Sequence, residues 1–399
     1  MLDRSRHAIL VPGAQSMAGI GTVRSLGAAG YRVHAAAAKP TALGLKSRYA
    51  TAAVVHPPLG SAELAQWFPD YVRRHSIEML TPGVFSFDPA SVFGAYPHLY
   101  TTPVDPAVLA WSRSKAALFA KLGSGPPEAR AHLPPYLLVD FAAGLPSEAE
   151  LGRLGEPLFI KTDAEEARSG APSAVIRCRT ARECRERLGG YAAQYRRVLV
   201  QGFVPGRGAG AFLLRWQGRT IARMMHLRLH EMPHTGGASS FRVSWWHDKM
   251  MQDAEQKLAT IAWQGVAMVE YRWDAASDAF SLMEMNLRFW GSLHLALYAG
   301  VDFPRLLADA FFGEVPAAPI TGRPGVYCRN TIPYEIGYLV SLWRDPEVSK
   351  WRKLRSLVEA VRLSLDPRIH NDLWFPGDRM LYLRQMGAFL AGGFGRGGE

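Results

Sequence analysis

The stretch GVAMVEYRW, then AASDA, then FSLMEMNLRFW covers most of residues 265–290. Glu284, Asn286 and Arg288 recur there at every second position, a spacing that places all three on one face of a strand. Glu270 and Arg272 share that spacing in the preceding apolar run, and a hairpin across AASDA brings Glu270 beside Glu284 and Asn286. Two carboxylates and an amide oxygen, without thiolate or imidazole, form a hard donor set. Such a set suits Mg²⁺ that keeps waters and polyphosphate oxygens in its shell. The company of Met268, Val269, Met283, Met285, Phe289 and Trp290 argues against a fully solvated hairpin.

A second pattern competes with the first. His230, Glu231 and His234 spell H-E-x-x-H, which binds zinc when a helix carries both imidazoles on one face. Pro233 inside the pattern and Thr235-Gly236-Gly237 after it are incompatible with a helix through this point. The segment reads instead as a loop after a basic strand, and no intrinsic zinc is expected.

Positioning such groups requires a scaffold, which the flanking patterns supply. HAILVP, the glycine turn GAQSMAGIG, the periodic TVRSLGAAG and YRVHAAAA read as strand, turn, helix and strand; TAAVVHPP, AELAQWFPDYVRRH and IEMLTPG continue the alternation. Residues 1–110 are therefore read as an open parallel α/β domain. Gly13, Gly19 and Gly21 do not fit G-x-G-x-x-G, and no acid ends the second strand, so a dinucleotide oxidoreductase is a weak reading. Residues 111–203 begin with the helical WSRSKAALFAKLG and, after a Pro-rich link, give the strands EPLFIKT, SAVIRC and RRVLVQGF around a helix at ARECRERLGGYAAQY. Residues 204–315 hold a hairpin turning at Gln217-Gly218, a helix at DKMMQDAEQKLATIAWQ, the acidic hairpin, and a helix at 303–312. Residues 316–399 form a C-terminal helical extension. In it PEVSKWRKLRSLVEAVRL (346–363) places Val348, Trp351, Leu354, Val358 and Val361 on one helical face. That basic amphipathic pattern fits a membrane surface, but docking of the apolar face on the protein body is the favoured expectation. The final AGGFGRGGE is expected to fray.

Composition narrows the functional classes. The 399 residues carry a net charge of +11, which suits anionic partners without choosing one. No module of stacking aromatics with interleaved basic residues points to nucleic acid. No apolar run reaches a membrane span and no signal-peptide core is recognisable, so a cytoplasmic protein is expected. Cys178, Cys184 and Cys328 lack C-x-x-C spacing and are expected to be reduced and structural.

MVEYR followed by LMEMNLRFWGS resembles the closing metal-binding motif of ATP-grasp enzymes, particularly carbamoyl-phosphate-synthase-like and predicted carboxylate–amine ligase members. The resemblance runs in order over nearly the whole chain. It implies an N-terminal pre-ATP-grasp domain followed by two α+β subdomains that grip ATP between them. It implies that Glu270, Glu284 and Asn286 hold Mg²⁺ and that Arg288 faces the transferred phosphate. Lys115 and Lys161 match the two lysines that contact ATP phosphates, and Gln201, Gly202, Phe203 and Val204 match the hinge that meets adenine. Arg228, Gly236 and Gly237 border the phosphate and acceptor pocket on the same comparison, Arg228 as a holder of a substrate carboxylate and the glycines through their N–H groups. The implied activity is ATP-dependent joining of a small-molecule carboxylate to an amine through an acyl-phosphate. The alternative is a non-catalytic relative that binds nucleotide or a partner. Three departures from relatives stand out: Gly202 where a Glu is frequent, Ser114 before Lys115 where an Asp is frequent, and a lid loop DAEEARSGAPS with three acids and one glycine.

Overall fold

The computed structural model describes residues 2–83, 96–99, 108, 111–168 and 171–392. Four strands, β1 (Ala8–Val11), β2 (Arg32–Ala37), β3 (Ala52–Val55) and β4 (Ile77–Leu80), form a parallel sheet in the order β3-β2-β1-β4. All four residues of central β1 are buried, as a strand covered on both faces requires. The helix Met17–Ala28 begins where Ser16 Oγ accepts the Gly19 N–H. The helix Ala62–His75 buries Leu64, Phe68 and Val72, a spacing of four that lays one stripe on the sheet.

A second sheet is antiparallel. It contains β5 (Tyr136–Asp140), β6 (Leu158–Thr162), β7 (Ala174–Cys178) and β8 (Arg197–Gly202) in the order β5-β8-β6-β7. The helix Ala181–Tyr191 closes one face by burying Ala181, Cys184 and Leu188. β5 lies inside what the sequence reads as a Pro-rich link. It starts directly after Pro135, where a proline leaves the chain extended and then ceases to interfere with the ladder.

The largest sheet runs β13-β12-β9-β10-β11-β15-β16, from β9 (Arg207–Trp216), β10 (Arg219–Met232), β11 (Ala238–Trp245), β12 (Gly265–Trp273), β13 (Phe280–Asn286), β15 (Tyr327–Arg329) and β16 (Ile369–Asn371). β14 (Ile320–Thr321) pairs with β10 at its edge. Gln217 and Gly218 join β9 to β10 with φ of 49° and 81°, the left-handed pair that a two-residue hairpin demands. Three expectations are corrected here. HEM is strand and only Pro233–Gly237 turns; β11 is a full strand that was not foreseen; and β13 ends at Asn286, so Arg288 lies just beyond it. β11 alternates polar and apolar residues over SFRVSW, and its polar face is the buried one: Ser240, Arg242 and Ser244 are buried, with Arg242 paired to Asp372 and Ser244 Oγ donating to Arg323 O at 2.7 Å. The Arg242–Asp372 pair and the Ser244 hydroxyl are satisfied in this way, as buried polar groups in a central strand require, whereas Ser240 Oγ and Arg242 Nε have no partner.

The tail is built into this frame. β14, β15 and β16 all come from beyond residue 316 and extend the largest sheet. Helices follow at Ile336–Arg344, Lys350–Leu365 and Met380–Gly392. The H-E-x-x-H segment carries the first of them: His230 stacks on Tyr338 at 4.2 Å with Nδ1 3.2 Å from Glu335 Oε2, and His234 Nε2 lies 3.0 Å from Asp345 Oδ2. The two histidines thus tie a strand end to a helix. One expectation fails outright. The helix Lys350–Leu365 buries only Ser356, while Trp351, Leu354, Val358 and Val361 stay exposed, so its apolar face is not docked on the body. The cause is geometric, since the side facing the body carries Ser356, Ala360 and Leu363 instead. The three cysteines are free and buried, and the glycine-rich end from 393 lies outside the described residues.

Candidate active site

β12 and β13 place Glu270 directly opposite Glu284, and Met268 opposite Asn286. The three oxygen-bearing side chains therefore meet as the strand spacing requires. Asn286 Nδ2 donates to Glu270 Oε1 at 3.1 Å, and Arg288 Nη2 donates to Asn286 Oδ1 at 3.2 Å. Arg288 reaches back to the row although it has left the strand.

Two further elements bring cations to this row. On β10, two ladders away, Arg228 pairs with Glu270 and donates to Glu231 Oε1 at 3.2 Å and to Gly237 O at 3.0 Å. Both Nη groups of Arg228 are spent on the protein's own oxygens, while its buried Nε has no partner. At the start of the helix Lys115–Gly123, Lys115 Nζ lies 3.4 Å from Glu284 Oε1 and 3.6 Å from Asp163 Oδ1. Burial disfavours the charge of Lys115, but Glu284 and Asp163 outweigh it and hold its pKa above the ordinary lysine value.

Lys161 comes from the other sheet. Its ammonium donates to Met283 O on β13 at 3.0 Å, so the β6 strand closes directly over the acidic hairpin. The side chain is 7% exposed, and burial pushes its pKa down to about 8, more than the attraction of Glu284 restores. Phe159 pairs with Gln201 and Lys161 with Leu199, so Gln201 emerges on the face that carries Lys161. Gln201 is fully buried, and neither its Oε1 nor its Nε2 has a hydrogen-bond partner. An unsatisfied buried amide is costly and marks a place where a polar ligand atom fits. Phe203, the next residue but one, is half exposed at 51%. Gly202 has a packing cause: a Cβ there would sit 1.9 Å from Leu154 O, so no larger residue fits.

The acids of the lid loop also find roles that the sequence left open. Asp163 Oδ2 accepts the Ala116 N–H at 3.2 Å, and burial raises its carboxyl above the usual range against the pull of Lys115. Glu166 accepts from Ser114 Oγ at 2.9 Å and from Arg197 Nη2 at 2.7 Å, while Ser114 caps the helix by accepting the Ala117 N–H. Asp163 and Glu166 therefore pin the loop to the helix that presents Lys115. The run DAEE was the available signal.

In the loop after β10, Gly236 donates its N–H to Pro233 O at 3.0 Å, so that group closes the turn. A Cβ at Gly237 would meet Met232 O at 2.3 Å, and one at Gly208 on β9 would meet Glu231 Oε1 at 2.6 Å and Arg228 Cδ at 2.7 Å. Gly208 leaves the room that Arg228 and Glu231 occupy, a contribution that the sequence reading missed. Among the described residues no group of three or more His, Cys, Asp or Glu side chains is placed to hold a metal ion. Glu270 and Glu284 are two such acids, and the third donor of the row is the amide oxygen of Asn286.

Residues 196–331 match the family model described as ATP-grasp in the biosynthetic pathway with Ter operon. No curated protein matches the sequence. Among solved structures, N5-carboxyaminoimidazole synthetase from Staphylococcus aureus is similar with 14% identity and a TM-score of 0.59, over 78% of this chain and 79% of that one. Biotin carboxylase from Campylobacter jejuni, solved as a β,γ-ATP complex, gives 14% identity and 0.58 over 78% and 72%. L-Amino acid ligase from Bacillus licheniformis gives 14% and 0.54 over 76% and 73%. At this identity the likeness establishes the fold, which is the ATP-grasp fold. The family match spans the acidic hairpin and the strands beside it.

Proposed function

We propose that this ATP-grasp chain is an ATP-dependent carboxylate–amine ligase, in which ATP phosphorylates a small-molecule carboxylate and an amine then displaces phosphate. The observation that carries the reading is the closure of Lys161 over the row of Glu270, Glu284 and Asn286, with Lys115, Arg228 and Arg288 all turned to that row. Fixed cations and fixed oxygen donors on two facing sheets can bind a polyphosphate and hold it while a phosphoryl group moves. The residues fit a divalent ion, because three oxygen donors lie at adjacent ladder positions without nitrogen or sulfur ligands. Glu270, Glu284 and Asn286 would hold Mg²⁺, which supplies charge compensation on the phosphate oxygens.

Each remaining side chain has a task that its position supports. Lys161 and Lys115 grip the polyphosphate, Arg288 holds the phosphoryl group as it transfers, and the unpaired Gln201 amide with Phe203 and the Gly202 and Val204 backbone meets adenine. Arg228 fixes Glu270 and borders the acceptor pocket with Gly236 and Gly237. The test is release of ADP from Mg-ATP in the presence of pooled carboxylates and amines. Release that depends on both pools is expected; none across a broad panel would shift the reading to a non-catalytic nucleotide-binding relative.

The lowered pKa of Lys161 gives a pH signature. Free protein loses this charge as pH rises through about 8, whereas a bound polyphosphate favours the ammonium and raises its pKa. Binding of a non-hydrolysable ATP analogue should therefore take up a proton above about 8, and affinity should fall by up to about tenfold per pH unit there, with no change from this group below it. Calorimetry at pH 8.5 in two buffers of different ionisation enthalpy measures the uptake. It should vanish in Lys161→Met, and equal uptake in both proteins would refute the assignment.

A further inference from the structure

We propose that the helix Lys350–Leu365 seats the protein on an anionic membrane surface. The proposal is independent of the ligase reading. At about 100° per residue, Trp351, Leu354, Leu357, Val358, Val361 and Leu365 fall within one arc of about 120°. All six are exposed, from 42% at Leu357 to 74% at Trp351 and 78% at Leu365. A contiguous apolar face of this kind is unusual on a soluble surface and marks an interaction site.

The opposite side fixes the helix to the body. Lys353 Nζ donates to Asp345 O at 2.8 Å, Arg329 Nη2 donates to Ser364 Oγ at 2.8 Å, and Ser356 is buried. The helix is thus held by its small and polar side with its apolar arc turned outward.

Charge decides the occupant. The helix carries Lys350, Arg352, Lys353, Arg355 and Arg362 against Glu359 alone, and Arg355 and Arg362 border the apolar arc. Glu359 itself faces His230, at 3.7 Å from Nε2. A second copy docked by the same face would bring two such cationic helices together, and like charges across an interface oppose association. An anionic lipid surface satisfies both features, accepting Trp and Leu into the acyl boundary and the arginines among headgroups. At 16 residues the helix is too short to span a bilayer, and no described helix is long and apolar enough to cross one. It lies on the surface.

The test is flotation of the full chain with vesicles of phosphatidylcholine alone or of phosphatidylcholine with phosphatidylglycerol, at low and high salt. Wild type should float with the anionic vesicles at low salt and lose most of that binding at high salt. The double variant Val358→Asp/Val361→Asp changes only exposed positions and should keep the wild-type melt while binding at least about tenfold more weakly. Arg355→Glu/Arg362→Glu should abolish the preference for anionic lipid. Absence of flotation, equal flotation with neutral vesicles, or full binding by the aspartate variant would each overturn the proposal. So would a wild-type dimer in size-exclusion chromatography that the aspartate variant dissolves without any vesicle binding.

Discussion

Glu284→Gln is expected to lower substrate-dependent ADP formation by about 10³-fold while leaving the fold intact, on the scale of single electrostatic contributions to a transition state. Glutamine keeps the length and β-propensity of the strand residue, so the ladder to Glu270 persists. What it removes is the negative charge that faces Lys115 and, on the proposed reading, the divalent ion. The stability cost should be small, because the Glu284–Lys115 pair is partly exposed, with 30% and 22% of the side chains accessible, and such pairs contribute little. Met285→Leu is the control. Met285 points to the opposite face and is 6% exposed, and the swap conserves volume, so it should cost under about 1.5 kcal/mol and little activity. ADP formation and thermal melts of wild type and both variants decide the matter. Unchanged turnover in a folded Glu284→Gln protein would remove the metal row from the mechanism.

The acidic hairpin was readable in advance because every constraint on it is local. Glu284 and Asn286 share a strand, and a short turn returns β12 beside them, so spacing alone predicts the meeting with Glu270. The same holds for the βα alternation of the first sheet. Legibility ends where a contact joins distant segments. Asp163 beside the Ala116 N–H, Glu231 in the space left by Gly208, and Lys161 on Met283 O each depend on how sheets pack. β11 shows the limit most clearly: Ser240-Phe241-Arg242-Val243-Ser244-Trp245 alternates as a strand does, but the alternation does not state that the polar face of Ser240, Arg242 and Ser244 is the buried one. The helix Lys350–Leu365 shows a different limit. Its periodicity predicts the element correctly, but an apolar stripe does not state whether protein or another phase covers it.

The second large effect is on stability, at Arg24. This residue lies on the helix Met17–Ala28 and is fully buried, with Nε 2.9 Å from Asp378 Oδ2, Nη1 2.7 Å from Asp372 O and Nη2 3.1 Å from Leu373 O. Its guanidinium also lies 5.0 Å from the Phe375 ring centroid. One side chain therefore fastens the segment at 372–378, which leads into the last helix, to the first helix of the chain. Replacing a buried ion pair by apolar groups can be neutral, but removing one partner strands the other charge in the interior. Arg24→Met should strand Asp378, 4% exposed and left with the Ser47 hydroxyl and the Arg48 N–H, at a cost of about 3–5 kcal/mol. Arg24→Lys should recover little, because a single ammonium cannot reach the carboxylate and three carbonyls that the planar fork serves at once. Arg24→Met/Asp378→Asn should be more stable than Arg24→Met alone, since the orphan charge is gone. Thermal melts and limited proteolysis of the three variants measure this, with cleavage near residues 372–378 appearing first in Arg24→Met. A wild-type melt and digestion pattern for Arg24→Met would show that the clamp adds no stability, and equal losses in the single and double variants would show that the stranded Asp378 charge is not the cause.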